Sequence, residues 1–483
     1  MPGSGLLPVV HLSAEYYPYA RTGGLAEAVS NLATFQQRAG MRVLALLPLY
    51  RVTRSNAADV IPAGEPFEVT VGPARETARL WRLPGPAGTP EVYAIGHDAF
   101  FDREGIYGEA GIDYADNPRR FAFFVRAALD ALPRLVPGAV LLHAHDWHTA
   151  LAPLYLRSIL ANDPAYQDIR TVVSVHNPGY QGHFPASIVP TVGLPWSVYD
   201  WRCLEWHGQA NFLKGGVTSA DAVVTVSPHQ AEELRTPGGG FGLHEVFTHL
   251  GPKLAGILNG IDQQVWDPQH DAHIAQTYSA EQLAGKRACK EALQRRARLP
   301  ERPEVPLLAF IGRLARQKGL DIVLDPAHAF ALDAQYIFMG TGEARYTQML
   351  SEAARRFPDR VAVEPGFTDL MEHRIIAGAD IFLMPSQYEP CGLTQMRAQR
   401  YGTIPVARRV GGLVDTVEDD VTGFMFNEFT AEALDQCARR ALERFRDPKN
   451  WKSMMRTAMA KDFGWERTVE RYAQVYRKAL RPR

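Results

Sequence analysis

A chain of 483 residues is longer than one hydrophobic core usually serves, so its length predicts two domains of roughly 200 residues each. With 46% hydrophobic and 22% charged residues it has the composition of an ordinary soluble globular protein. Its 52 basic and 53 acidic side chains leave no net field to attract nucleic acid or another polyanion.

In chain order, the opening "MPGSGLLPVVHLSAEYYP" lacks a basic leader, and its apolar run is too short for a signal peptide or a membrane span. Cys203, Cys289, Cys391 and Cys437 lie far apart, with no paired spacing that would mark a zinc site or a disulfide framework. Both readings predict a cytoplasmic protein without a membrane partner. Short β-branched runs then alternate with longer helical patterns: "PVVHLS" (8–13), "MRVLALLP" (41–48), "AVLLHAH" (139–145), "RTVVSVHN" (170–177) and "DAVVTVS" (221–227). Continuous apolar strands separated by helices predict a parallel sheet covered on both faces. The glycine-rich "RTPGGGFGLHEVF" (235–247) reads as a mobile loop of the first domain, and the boundary is expected near 250–260. The pattern restarts with "VPLLAFIG" (305–312), "AQYIFMG" (334–340), "RVAVEPG" (360–366), "DIFLMPS" (380–386) and "TIPVAR" (403–408). The predicted class is α/β, with two Rossmann-like, doubly wound domains.

In such sheets ligands gather beyond the carboxyl ends of the strands, so the loops there are the places to look for chemistry. The first, "EYYPYARTGGLAEAV" (15–29), offers Arg21 as a cation and Gly23 and Gly24 as a close backbone approach for an anion. A glycine turn beside a solvated Arg fits equally well. In "HAHDWHTAL" (143–151), His143, His145 and His148 with Asp146 could ligate a metal. Strand alternation puts only His143 and His145 on one face, which favours a hydrogen-bonding wall with Trp147 as a sugar-stacking surface. His176 and Asn177 add a third polar strand end in "VSVHNPGYQG" (173–182).

In the second half, Arg313 and Lys318 of "IGRLARQKGLD" (311–321) are two cations between a strand and a helix, suited to a diphosphate. "MGTGEARY" (339–346) lacks the third glycine of a dinucleotide fingerprint and follows the wrong strand. In "SQYEPCGLTQ" (386–395), Glu389 precedes a helix expected to start at Gly392 and Leu393, so a carboxylate for sugar hydroxyls adjoins a helix end for phosphate.

With these residues in view, the chain resembles the bacterial glycogen synthases and plant starch synthases almost end to end. The likeness is carried by "TGGLAE" (22–27), "HAHDWHTALAPLYL" (143–156), "VHNPGYQG" (175–182), "LNGID" (258–262), "GRLARQKGLD" (312–321), "EPCGLTQ" (389–395) and "YGTIPVARRVGGLVDTV" (401–417). The resemblance implies a GT-B glycosyltransferase, with domains 1–255 and 256–465 facing across a cleft and a last helix, 466–483, crossing back to the first. It implies glucosyl transfer from a nucleotide-diphosphate glucose to an α-1,4-glucan such as glycogen, with retention and with no metal or other cofactor. By that likeness Arg313 and Lys318 bind the diphosphate, Glu389 holds glucose hydroxyls, and His176 meets the sugar near its 6-hydroxyl. Asp146, Asn177 and Asn259 would shape the pocket, and Cys391, Gly392, Leu393 and Thr394 would line the donor. Three positions depart from the family: Arg21 stands where Lys is usual, Glu27 where Asp is usual, and Phe367, near the nucleotide, where Tyr is common. ADP-glucose is the expected donor, with UDP-glucose or a short oligosaccharide acceptor as alternatives. A catalytically silent glucan-binding protein is the rival reading.

Overall fold

The computed structural model describes residues 7–109 and 111–481. The chain forms two compact units: one runs to Asn259 and takes back the segment from Trp465 onward, and the other is Gly260–Gly464.

In the first unit the strands Val9–Leu12, Val43–Pro48, Val140–His145 and Ala222–Thr225 are buried along their whole length, and Ile169–Val175 nearly so, as apolar runs sealed on both faces must be. They are parallel neighbours. Beyond Val43–Pro48 the sheet continues through Glu91–Gly96 into an antiparallel edge built from Ala74–Leu83. That long strand mixes exposed charged residues with buried apolar ones, as a half-solvated edge does, and so forms no continuous apolar run in the sequence. The helix Trp465–Ala479 buries Trp465, Thr468, Val469, Tyr472, Ala473, Tyr476 and Ala479, one stripe at helical spacing. It packs on the helix Gly24–Arg38 and on the strands Ile169–Val175 and Ala222–Thr225.

The glycine-rich segment is packed, not open. A Cβ on Gly239 would lie 2.5 Å from Glu233 O, and Leu243 and Phe247 are buried in the core.

The second unit is a six-stranded sheet in the order Val361–Pro365, Gln335–Gly340, Leu307–Ile311, Ile381–Met384, Ile404–Arg408, Phe424–Phe426, all parallel. Gly340 and Gly342, the glycines of "MGTGEARY", make room for the loop after Leu307–Ile311: a Cβ on either would fall about 2 Å from Gly312 O or Leu314 O. Among the described residues no helix is long and apolar enough to cross a membrane.

Candidate active site

Each sheet has one place where the chain leaves in both directions, and a crevice opens there outside the carboxyl strand ends. In the first unit it lies between Val9–Leu12 and Val140–His145, in the second between Leu307–Ile311 and Ile381–Met384. The loops at these four ends carry most of the expected site residues.

In the first unit a residue that sequence reasoning passed over organises the glycine loop. The buried carboxylate of Glu15 accepts hydrogen bonds from Thr22 N (2.6 Å), Thr22 Oγ1 (2.7 Å), Gly23 N (3.2 Å) and the Tyr107 hydroxyl (2.6 Å). The Gly23 N–H, expected to face an anion, is therefore engaged within the protein. Space beside Gly23 and Gly24 is open, as a close approach requires. Arg21 pairs with Glu27 at 3.1 Å and lies 5.7 Å from the centre of the Tyr17 ring.

Asp146 begins its loop in the left-handed conformation, φ +57°, a strained geometry for a residue with a Cβ. Its Oδ1 accepts from the backbone N–H groups of His176 (2.7 Å) and Asn177 (3.4 Å), tying two strand ends together. Burial pushes its carboxyl up to about 7, against the pull of those two N–H groups. Trp147 corrects an expectation. Only 9% exposed, it packs against Phe121, Phe184 and Phe212, and Gly182 sits against its ring, so it is a core side chain and no sugar platform. The less favoured metal set, His143, His145 and His148 with Asp146, is not brought together. His148 stacks on Tyr107, while His11 from the adjacent strand joins His143 and His145, their nitrogens within 4.8 Å of one another. Both ring nitrogens of all three are engaged in hydrogen bonds, which makes the cluster a buried network. His176 joins it through Nε2, 2.9 Å from His145 Nδ1. Asn177 Oδ1 accepts from Gly179 N at 3.0 Å, and Asn259 is buried where the first unit ends.

In the second unit Lys318 Nζ lies 2.6 Å from Glu389 Oε2, which also accepts from the Ser386 hydroxyl at 2.9 Å. Glu389 is nearly enclosed, its side chain 8% exposed, and Lys318 is 23% exposed. Glycine makes this approach possible. Gly319, at φ +81°, would put a Cβ 2.0 Å from Pro385 O, so any larger residue would separate the two loops. Gln317 adds a second tie by donating to Tyr388 O at 3.1 Å, and it accepts from the exposed Arg313 at 2.7 Å. Gly412 N donates to Glu389 O (3.0 Å), and a Cβ there would meet Cys391 O at 2.2 Å.

The helix after Glu389 begins later than expected, at Thr394, and runs to Arg400. Gly392 stays outside it at φ +69°, a conformation no helix accommodates, and Leu393 is the N-cap. Cys391 is buried while Leu393 and Thr394 are half-buried beside it. Phe367 is exposed at the end of Val361–Pro365.

A model of the starch synthase catalytic domain matches residues 8–249, and one of the group 1 glycosyl transferases matches residues 292–457. The glycogen synthase of Anaeromyxobacter dehalogenans strain 2CP-1 is 44% identical over 478 residues, 98% of this chain and 99% of the relative. That of Anaeromyxobacter sp. strain Fw109-5 is 44% identical over 488 residues, 99% of this chain and 100% of the relative. The chain belongs to the glycogen and starch synthase family. Its α/β fold is that of the GT-B glycosyltransferases: the catalytic domain of starch synthase IV from Arabidopsis thaliana, solved with ADP and acarbose, superposes with a TM-score of 0.90 at 30% identity. That match covers 99% of this chain and 100% of the other.

Within this glycosyltransferase the motifs named from the sequence mark the loops, and a second set of residues holds those loops in place. Glu15, Ser386, Gln317, Gly319 and Gly412 form that set. Gly319 lies inside a motif, where its spacing next to Lys318 was the available signal. Glu15 carried only the signal of an acidic residue soon after the buried strand Val9–Leu12, beyond Ser13 and Ala14.

Proposed function

We propose that the protein transfers glucose from ADP-glucose to the non-reducing end of glycogen or another α-1,4-glucan, with retention of configuration. The carrying observation is the 2.6 Å pairing of Lys318 with Glu389 at the strand ends where the second sheet reverses direction. A cation and a carboxylate side by side suit the two halves of a nucleotide sugar. In the transfer, the bond from glucose C1 to the β-phosphate oxygen breaks and a bond from C1 to the acceptor hydroxyl oxygen forms on the same face. The proton of that hydroxyl passes to the departing phosphate, so no protein nucleophile takes part. Lys318 and Arg313 offset the charge growing on the diphosphate. Glu389, steadied by Ser386, accepts from glucose hydroxyls. The backbone and side chains of Cys391, Gly392, Leu393 and Thr394 line the donor, with Phe367 near the nucleotide. His176, Asp146, Asn177 and Asn259 receive sugar hydroxyls, and Arg21 with Gly23 and Gly24 supplies a positive, side-chain-free approach. The scheme uses no metal and no cofactor. The adenine nucleotide is supported by the ADP in the solved relative, and the composition and scattered cysteines support a cytoplasmic setting.

Incubating purified protein with glycogen and either ADP-glucose or UDP-glucose, while following nucleotide release and glucan growth, tests donor and activity together. ADP release that requires glycogen is expected. Preference for UDP-glucose would overturn the donor, and no release with either would favour a silent glucan-binding protein.

A further inference from the structure

The buried histidines of the first unit form one continuous hydrogen-bonded chain. Gln36, on the helix Gly24–Arg38, places Oε1 2.8 Å from His11 Nε2. His11 Nδ1 lies 2.9 Å from His145 Nε2, and His145 Nδ1 lies 2.9 Å from His176 Nε2. From its other end the same amide donates from Nε2 to the Tyr476 hydroxyl (2.8 Å), on the helix Trp465–Ala479. Tyr476 contacts His143 Nδ1 at 2.8 Å, and His143 Nε2 contacts Ser174 Oγ at 2.7 Å. His11, His143, His145 and Gln36 are fully buried.

A neutral imidazole carries one N–H and one bare nitrogen, so a chain of such rings can point only one way. Burial keeps these rings neutral: His11 is held down at about 4, His176 at about 3, and His143 and His145 well below the usual range. The Gln36 carbonyl can only accept, so His11 carries its proton on Nε2 and leaves Nδ1 bare. His145 must then donate from Nε2 to that bare nitrogen, and His176 from Nε2 to His145 Nδ1. Nδ1 of His176 is left as an acceptor, with no protein hydrogen-bond partner among the described residues.

We propose that Gln36 is a positioning residue: through the rings of His11 and His145 its amide decides which nitrogen of His176 carries the proton, so that His176 presents Nδ1 to a hexose hydroxyl. The sugar contact rests on the function proposed above; the tautomer does not. Turning the Gln36 amide over would reverse every proton in the chain and convert His176 from acceptor to donor toward the sugar. At its other end the same amide meets the C-terminal helix, where the Tyr476 oxygen accepts from the amide nitrogen and passes the contact to His143, away from His176.

The test is 15N NMR of histidine-labelled, full-length protein without substrate, which separates pyrrole-type from pyridine-type ring nitrogens. In the unmodified protein His11, His145 and His176 are expected all to carry the proton on Nε2; opposite senses among the three would overturn the proposal. In Gln36→Met, which keeps the volume and removes both hydrogen bonds, His176 is expected to lose its single tautomer. Turnover should fall about tenfold, the worth of one hydrogen bond, with KM for the donor unchanged. A His176 spectrum identical to that of the unmodified protein would overturn the proposal even if activity fell. Should Gln36→Met not fold, Tyr476→Phe decides: it removes only the second arm, so His143 signals shift while His176 stays protonated on Nε2, and a simultaneous change at His176 would contradict the order of control. Because these spectra need no substrate, failure of the glucosyl-transfer assay leaves their reading intact.

Discussion

The two strand-end crevices solve opposite electrostatic problems. Behind the strand ends of the first unit lie groups that burial keeps neutral: histidines too desolvated to hold a proton, and an aspartate whose carboxyl is pushed up to about 7. His11, His143, His145 and Asp146 are held by directed hydrogen bonds, a construction suited to uncharged, hydroxyl-rich ligands. In the second unit Lys318 and Glu389 pair at a half-open strand end, held in register by glycines that no larger residue could replace. That construction suits a ligand carrying its own charge. In the proposed reaction the first unit reads hydroxyls through the direction of protons and the second a diphosphate through compensation of charge.

The contrast is broken most sharply at Glu389. In Glu389→Gln the shape is kept and the charge removed, and turnover is expected to fall about 10²–10³-fold with donor KM changed only a few-fold; steady-state kinetics with unaltered turnover would take Glu389 out of the chemistry. Acid should next distinguish the units. The five histidines His11, His143, His145, His148 and His176 are depressed, so the stability they supply is present above about pH 6.5 and is lost as pH falls toward their folded values. Asp146 is raised and acts in the opposite sense, its contribution being lost as pH rises from about 4 through about 7, and partly buried Asp130 is raised as well, but these two carboxyls stand against five histidines. Thermal melts from pH 7 to 5 should show a marked loss of stability, up to about 1.4 kcal/mol per pH unit for each histidine. A flat profile would mean that the chain is solvated.

Trp147→Ala should cost about 3–5 kcal/mol, as large core truncations do. The milder Trp147→Phe should leave KM for glycogen unchanged; a raised KM in a stable Trp147→Phe protein would restore the stacking role. Gly319→Ala is expected to destabilise the second unit by about 1–3 kcal/mol, because both the positive φ and the 2.0 Å approach to Pro385 O forbid a Cβ. The smallest effect is expected for Arg21→Lys: a shift of a few-fold in turnover with Tm almost unchanged, since the Glu27 pair is half-open to solvent. A large fall in Tm at constant turnover would make Arg21 structural.

All ten apolar runs singled out in the sequence are parallel strands, because burial on both faces writes itself as unbroken Val, Ile and Leu. Ala74–Leu83 does not read as such a run because "ARETARLWRL" turns Arg75, Thr77, Arg79 and Arg82 to solvent. Candidate site residues stand out in the sequence where they follow a buried strand, directly for Asp146 and His176 and a short loop later for Glu389. The site was illegible where the partner came from far along the chain: nothing near Glu15 announced Tyr107, and nothing near His11 announced Gln36, His145 and Tyr476. Trp147 misled because an aromatic beside Asp and His reads the same whether its ring faces a sugar or Phe121 and Phe184. Gly392 reads as a helix start in the sequence, whereas its positive φ excludes it from the helix that begins at Thr394.

The most decisive measurement is a crystal structure of the protein with ADP. The diphosphate is expected within hydrogen-bond distance of both Lys318 Nζ and the Arg313 guanidinium. Nucleotide density lying away from both cations would contradict that placement.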